Sequence, residues 1–279
     1  MRTMMCVLVA MMLVALAVAG ASADPVLARE VAMGFTQVGL GDGPNAFLSN
    51  PAGLPRLADY NRGMKSTAAI GARVDDEDGD AWSALYSAAS GSKAIGWGAG
   101  FWQTDSGGVE TDYFGLGLGG DILRAGGLTG GVTMINQNVS AGAVNGADAG
   151  VDDDRTILNI GLMYFAMPGA ETVRVGARLN DVTDELPGDV TVDLGASVRL
   201  PQGLLVALDV RDVADEVDTT ANVGAEYELP NTGLVVRAGA ADGDLTVGGG
   251  YRWATWEAGV GWADLDQGEQ AVVSFTGWW

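Results

Sequence analysis

The sequence predicts an all-β fold, a 14-stranded antiparallel transmembrane β-barrel with an N-terminal plug segment, on three observations. The first is an alternation among the connections. The stretches 75–80, 105–110, 138–154, 181–189, 212–218, 241–244 and 264–269 hold 24 Asp and Glu and no Lys or Arg. The stretches between them, 90–93, 119–127, 167–171, 200–203, 229–233 and 253–255, hold only Asp121 and Glu171. A chain that visits two different environments in turn behaves like an up-and-down barrel with unlike rims. The second is a period of two within the segments that these stretches separate: Val190, Val192, Leu194, Ala196 and Val198 fall on one face of 189–200, and Thr191, Asp193, Gly195, Ser197 and Arg199 on the other. The third is the even number of such segments, which returns the chain to its starting side, as closed bacterial barrels require.

Taken in order, residues 1–23 read as a secretory signal peptide. Arg2 gives a positive start, Cys6 to Gly20 is an apolar run, and Ala21-Ser22-Ala23 is a small-residue cleavage site. A membrane anchor is the alternative, but the run is shorter than the roughly 20 apolar residues that a spanning helix needs. Cys6 is the only cysteine and leaves with the peptide, so no disulfide is expected. The net charge of −21 repels nucleic acid and anionic lipid heads.

Residues 24–63 do not alternate and contain Pro25, Pro44, Pro51 and Pro55, which suits a folded plug rather than a strand. Residues 64–279 form the barrel. Its strands are expected at about 65–74, 80–89, 92–104, 109–119, 127–137, 154–166, 171–180, 189–200, 203–212, 218–229, 233–240, 243–253, 255–263 and 269–279. Lys65, Arg73, Arg155, Arg174, Arg178, Arg199, Arg211, Arg237 and Arg252 all fall opposite the apolar face. That places them in the lumen, where Asp193, Asp209, Glu226, Glu228 and Glu257 are expected to pair with them.

A soluble β-sandwich or a β-solenoid would also give each strand one wet face. Lipid is favoured by two aromatic groups: Trp82, Trp102, Tyr113 and Trp262 toward the acidic turns, and Tyr164, Phe165, Tyr227, Tyr251, Trp253, Trp256, Trp278 and Trp279 toward the others. The chain also stops on an amphipathic strand, with Val273, Phe275, Gly277 and Trp279 on one face. Such an ending resembles the signal read by the outer-membrane assembly machinery, with Phe275 and Trp279 as its aromatic elements.

Residues 32–54 carry Ala32-Met33-Gly34, then Gly41-Asp42-Gly43, then Asn50-Pro51-Ala52-Gly53-Leu54. That ordered set resembles the N-terminal plug of the FadL/PorV-like superfamily of outer-membrane barrels, and residues 208–253 resemble its PorV-like branch. The resemblance implies a 14-stranded barrel whose N-terminal segment occludes the lumen, with Asn50, Pro51, Ala52 and Gly53 as gate residues. It implies a bacterial outer-membrane location and passive transport of a small hydrophobic solute. The alternative is an accessory barrel of the PorV kind that receives or anchors secreted proteins without transporting solute. A structural barrel without cargo is a third reading. The expected partners are the lipid bilayer, the assembly machinery, and either a hydrophobic ligand or a secreted protein.

There is no histidine, which removes Ser-His-Asp and Cys-His systems and most zinc sites, so no enzyme, cofactor or metal is expected. Gly115, Gly117 and Gly120 spell GxGxxG, but no helix follows. These glycines are expected to relieve crowding where the barrel curves or the plug approaches. The acids at 75–80 and 152–154 lack the ligand spacing of an EF-hand. They read as solvated loops, with weak divalent-cation binding as the sharper alternative.

Overall fold

Fourteen strands close on themselves in sequence order in the computed structural model, which describes residues 26–60, 63–74, 81–92, 95–106, 109–123, 127–141, 152–166, 172–184, 190–214, 219–265 and 268–279. The signal-peptide residues and the acids at 75–80 lie outside the described residues. The strands are β1 (Ser66–Val74), β2 (Ala81–Ser92), β3 (Ile95–Ser106), β4 (Val109–Asp121), β5 (Leu128–Ala141), β6 (Asp152–Ala166) and β7 (Thr172–Asn180). They continue as β8 (Thr191–Arg199), β9 (Leu204–Arg211), β10 (Thr220–Glu228), β11 (Leu234–Ala241), β12 (Asp244–Trp253), β13 (Trp256–Leu265) and β14 (Gly268–Trp278). Every pair is antiparallel, and β1 closes onto β14 from Thr67 opposite Trp278 to Val74 opposite Ala271. Closure leaves no strand edge without a ladder partner.

The two faces are inverted relative to a water-soluble protein. Leu118 and Leu245 are each 59% exposed on the outside, whereas Asp209 and Arg237 on the inside are 0% and 4% exposed. A sandwich would bury the leucines and wet the charges; a barrel in hydrocarbon does the reverse. Periodicity thus identified both faces.

Before β1 the chain forms α1 (Ala28–Ala32), α2 (Ala46–Ser49), a 3-10 helix (Pro51–Arg56) and α3 (Leu57–Tyr60). The first three lie inside the barrel. Ala28 approaches Gly261 of β13, Met33 approaches Gly224 of β10, Phe47 approaches Gly98 of β3 and Gly117 of β4, and Pro51 approaches Gly131 of β5. One short segment can meet so many strands only from the lumen. Helix α1 ends where Gly34 (φ 64°) and Phe35 (φ 59°) turn left-handed, and Phe35 N–H donates back to Glu30 O at 2.7 Å.

Three expectations need correction. Trp82 and Trp102 are buried inside the lumen, and Tyr113 stacks on Trp102, so these rings form no belt at the acidic-turn end. Inward-facing glycines and the inner segment leave space there that large rings fill. At the opposite end, Tyr164, Tyr227, Tyr251, Trp253 and Trp279 do face outward, but Trp278 lines an inner cavity and Phe165 lies under the Arg56 guanidinium. Lys65 precedes β1 and is exposed, so it belongs to no strand.

Candidate functional site

A segment without regular ladders, buried in a barrel, must still satisfy its backbone polar groups. The lumen wall supplies the partners. Asp209 on β9 accepts from three consecutive amides, Gln37 N–H, Val38 N–H at 2.7 Å and Gly39 N–H at 3.2 Å. Asp209 therefore serves as a cap for backbone amides rather than as the arginine partner expected of it. Ser197 Oγ donates to Gly39 O at 2.7 Å, Arg211 Nη2 to Phe35 O at 2.7 Å, and Arg178 Nη1 to Leu48 O at 2.8 Å. Gly34 N–H donates to Thr246 Oγ1 at 2.9 Å.

The other lumen charges form an alternating line. Arg174 on β7 reaches Asp42 at 3.2 Å and also donates to Leu40 O. Asp42 binds Arg29 at 2.5 Å, and Arg29 binds Glu226 on β10 at 2.9 Å. Glu226 binds Arg237 on β11 at 2.9 Å, Arg237 binds Glu257 on β13, Glu257 binds Arg252 on β12 at 2.5 Å, and Arg252 binds Glu228 at 2.6 Å. Arg199 stands beside the line, 3.8 Å from Asp42. Asp193 belongs to a separate pair, accepting from Arg178 at 2.8 Å. Charges this well buried persist only when paired and hydrogen-bonded.

Sequence reasoning missed the two residues that join this line to the inner segment, Arg29 and Asp42, and also Glu30 beside them. Burial alone would raise the Asp42 carboxyl, but the Arg29 and Arg174 guanidiniums, with Arg199, hold it well below the usual carboxylate range. Burial pushes Glu30 up to about 7, with Arg29 and a backbone hydrogen bond offsetting it only in part. Its Oε2 has no hydrogen-bond partner. Burial would lower Arg29, and Asp42 and Glu226 raise it well above its ordinary value. A signal for Arg29 existed: it is the only basic residue between position 24 and Arg56.

The four gate candidates form a rigid knot. Asn50 Nδ2 donates to Val38 O at 2.9 Å and to the wall carbonyls of Leu162 at 3.3 Å and Ala177 at 3.5 Å, while its Oδ1 accepts from Ala52 N–H at 3.1 Å. Thr129 Oγ1 on β5 donates to Ala52 O at 2.6 Å. Pro51 lies on Gly119 and Gly131, and any side chain at Gly53 would strike the Gly41 carbonyl. Gly115 and Gly117 of the GxGxxG run lie directly against Phe47.

The segment separates two cavities. The one toward the acidic turns has a volume of about 540 Å³ and is walled by Val26, Gln37, Asn45 and Leu48 from the segment and by Trp102, Tyr113, Ile135, Ile157, Asn159 and Asn180 from the barrel. The one toward Trp279 has a volume of about 250 Å³ and is lined by Leu27, Glu30, Asp42, Met64, Arg199 and Trp278. At the chain's end, Phe275 is held between Trp253 and Trp256 at centroid distances of 6.0 and 4.6 Å, and Trp279 is exposed. Among the described residues, no group of three or more His, Cys, Asp or Glu could hold a metal ion.

These features define a class: a closed 14-stranded barrel, apolar outside, with its N-terminal segment fixed in the lumen. Solved structures share the barrel fold. The Pseudomonas putida toluene transporter TodX superposes with a TM-score of 0.63 at 14% identity, covering 93% of this chain and 97% of its own. A deltaS2S3 mutant of TodX, described as a monoaromatic hydrocarbon channel, gives 0.62 at 15% identity over 90% and 97%. The deltaS2 mutant gives 0.56 at 14% over 90% and 96%. No protein-family model and no curated protein sequence matches the chain.

Proposed function

We propose that the protein is a passive channel for a small hydrophobic solute in the bacterial outer membrane, with residues 24–63 as its plug. The carrying observation is the pair of cavities at opposite ends of the lumen with the inner segment between them. A solute reaches one cavity from the acidic-turn end, which we take as the cell exterior, and passes the segment to reach the other or the bilayer. The fold likeness to a toluene transporter supports a hydrophobic solute. Asn50 to Gly53 is the pivot in this reading, because Asn50 ties the segment to β6 and β7 at once. The PorV-like accessory role gains no support from these structures. Phe275 and Trp279 keep their proposed role as the assembly signal.

The test is permeation in proteoliposomes. The expected result is entry of toluene faster than in protein-free vesicles, with no large ion conductance. A large open conductance in the intact protein overturns the plug, and toluene entry no faster than in empty vesicles overturns the channel.

A further inference from the structure

The larger cavity carries information about what it takes, and this inference rests on the channel reading above. Its wall changes character from strand to strand. Trp102 on β3 and Tyr113 on β4 stack in parallel at 5.0 Å and 7°, and Ile135 on β5 and Ile157 on β6 continue an apolar surface. Beyond them the wall is amide. Asn159 on β6 and Asn180 on β7 both line the cavity, one rung past the Ile160–Leu179 pair.

The hydrogen bonds of these two amides leave complementary atoms over. Asn180 Nδ2 donates to Thr191 Oγ1 at 3.1 Å and Asp193 Oδ2 at 2.8 Å, which uses both of its hydrogens and turns Oδ1 into an acceptor for something else. Asn159 is the reverse. Its Oδ1 accepts from Asp181 N–H at 2.8 Å, so its amide hydrogens are the donors that remain. A hydroxyl group is both a donor and an acceptor, and suits this pair; a methyl group in its place would offer nothing to Asn180 Oδ1 or to the Asn159 amide hydrogens.

Charge argues against an anionic ligand. Arg178 and Arg211 line the same cavity, but Arg178 is committed to Asp193 and the Leu48 carbonyl, and Arg211 to the Phe35 carbonyl. Three carboxylates, on Asp181, Asp193 and Asp212, share the wall with these two guanidiniums. A carboxylate entering here meets engaged cations and an excess of like charge. The volume lies within the usual range for small-molecule sites.

We propose that the larger cavity selects small neutral aromatic compounds bearing a hydroxyl group, the phenol class, over both the isosteric hydrocarbon and the aromatic carboxylate. The ring packs on Trp102 and Tyr113 and the hydroxyl meets Asn159 and Asn180. Toluene and phenol differ by a methyl for a hydroxyl, so the contribution of the amides is read from that pair.

The experiment measures binding of phenol, toluene and benzoate to the full mature protein in nanodiscs by calorimetry, with transfer into protein-free nanodiscs subtracted. Phenol should bind about tenfold more tightly than toluene, the scale of one well-made hydrogen bond, and more tightly than benzoate. Asn180→Ala and Asn159→Ala should each remove most of that preference, bringing the ratio of phenol to toluene affinity toward one. Trp102→Leu should weaken phenol and toluene alike. Gel mobility before and after heating verifies that each variant is folded, and a misfolded one is replaced by Asn180→Ser or Asn159→Ser. Toluene binding as tightly as phenol, or tighter benzoate, overturns the proposal, as does a phenol preference that survives both amide substitutions. If toluene still crosses liposomes in those cases, the channel reading stands; if neither compound binds or crosses, both fall.

Discussion

The inner segment packs closely on both walls of the lumen, but the line of buried charges lies against only one of them. Against β3, β4 and β5 the contact is steric: Phe47, Pro51 and Leu54 lie directly on Gly96, Gly98, Gly117, Gly119 and Gly131, where any Cβ would collide. Against β7 to β13 the packing is just as close, on Gly176, Gly195, Gly224, Gly239, Gly248 and Gly261, and charge is added to it: Asp209 binds three amides, and Arg29 and Asp42 are inserted between Arg174 and Glu226 in the charge line. Close packing is indifferent to pH and fails only by collision. Ion pairs can be broken one at a time and respond to protons.

Asp42 is the sharpest point at which to break the polar wall. Asp42→Asn leaves Arg29, Arg174 and Arg199 without the carboxylate they share, and removing one partner of a buried network costs about 3–5 kcal/mol. The thermal midpoint of the detergent-solubilised protein should fall accordingly, and proteoliposomes should leak ions. An unchanged midpoint would show that close packing alone retains the segment.

The same wall should respond to pH through Glu30. Its folded value of about 7 stands above the ordinary 4.5, so the folded state binds the extra proton. The contribution of Glu30 is therefore full below about pH 4.5, declines as pH rises between the two values, and has lost about 3 kcal/mol above neutrality. Glu30→Gln should flatten the decline, because the amide is uncharged throughout. Thermal midpoints across that window are the measurement, and a wild-type profile as flat as that of the variant would remove Glu30 from the account.

The close packing against β4 is tested by Gly117→Ala. The new Cβ would stand 2.5 Å from Phe47 Cβ. Overpacking of this kind costs about 1–3 kcal/mol and should be independent of pH. If the loss were confined to one end of the pH range, the division between the walls would be wrong.

The barrel was legible because lipid on one side and the segment on the other impose a period of two on each strand. Asp193, Arg199 and Ser197 could be placed inward from Leu194 and Val198 alone. Trp102 was misplaced although its strand held the answer. It shares a face with Gly96, Gly98 and Gly100, and a run of alternate glycines marks the side where another backbone approaches. Arg29 and Asp42 were not legible as a pair with Glu226, since 197 residues separate Arg29 from Glu226 and only closure of the barrel brings them together. Residues 24–63 have no period, so nothing local announces which of their side chains face which strand. The cavity amides were missed for a related reason: Asn159 and Asn180 become a pair only through the register of β6 with β7.

The smallest expected effect is the control that gives the glycine argument its meaning. Gly259 lies on β13, against the polar wall, and a Cβ there would meet Ala28 Cβ, Gly249 O and Ser274 Oγ, each at 3.6 Å. Those are ordinary contacts. Gly259→Ala also removes unfolded-state freedom and suits a strand better than glycine does. The thermal midpoint should therefore stay within the change produced by about 0.5 kcal/mol, and any shift should be upward. Gly117 and Gly259 are the same residue type on the same kind of strand, so a difference between their variants reports only what lies above them. A loss at Gly259 comparable to that at Gly117 would mean that the barrel requires glycine for its curvature everywhere, and not only where the segment lies directly above it.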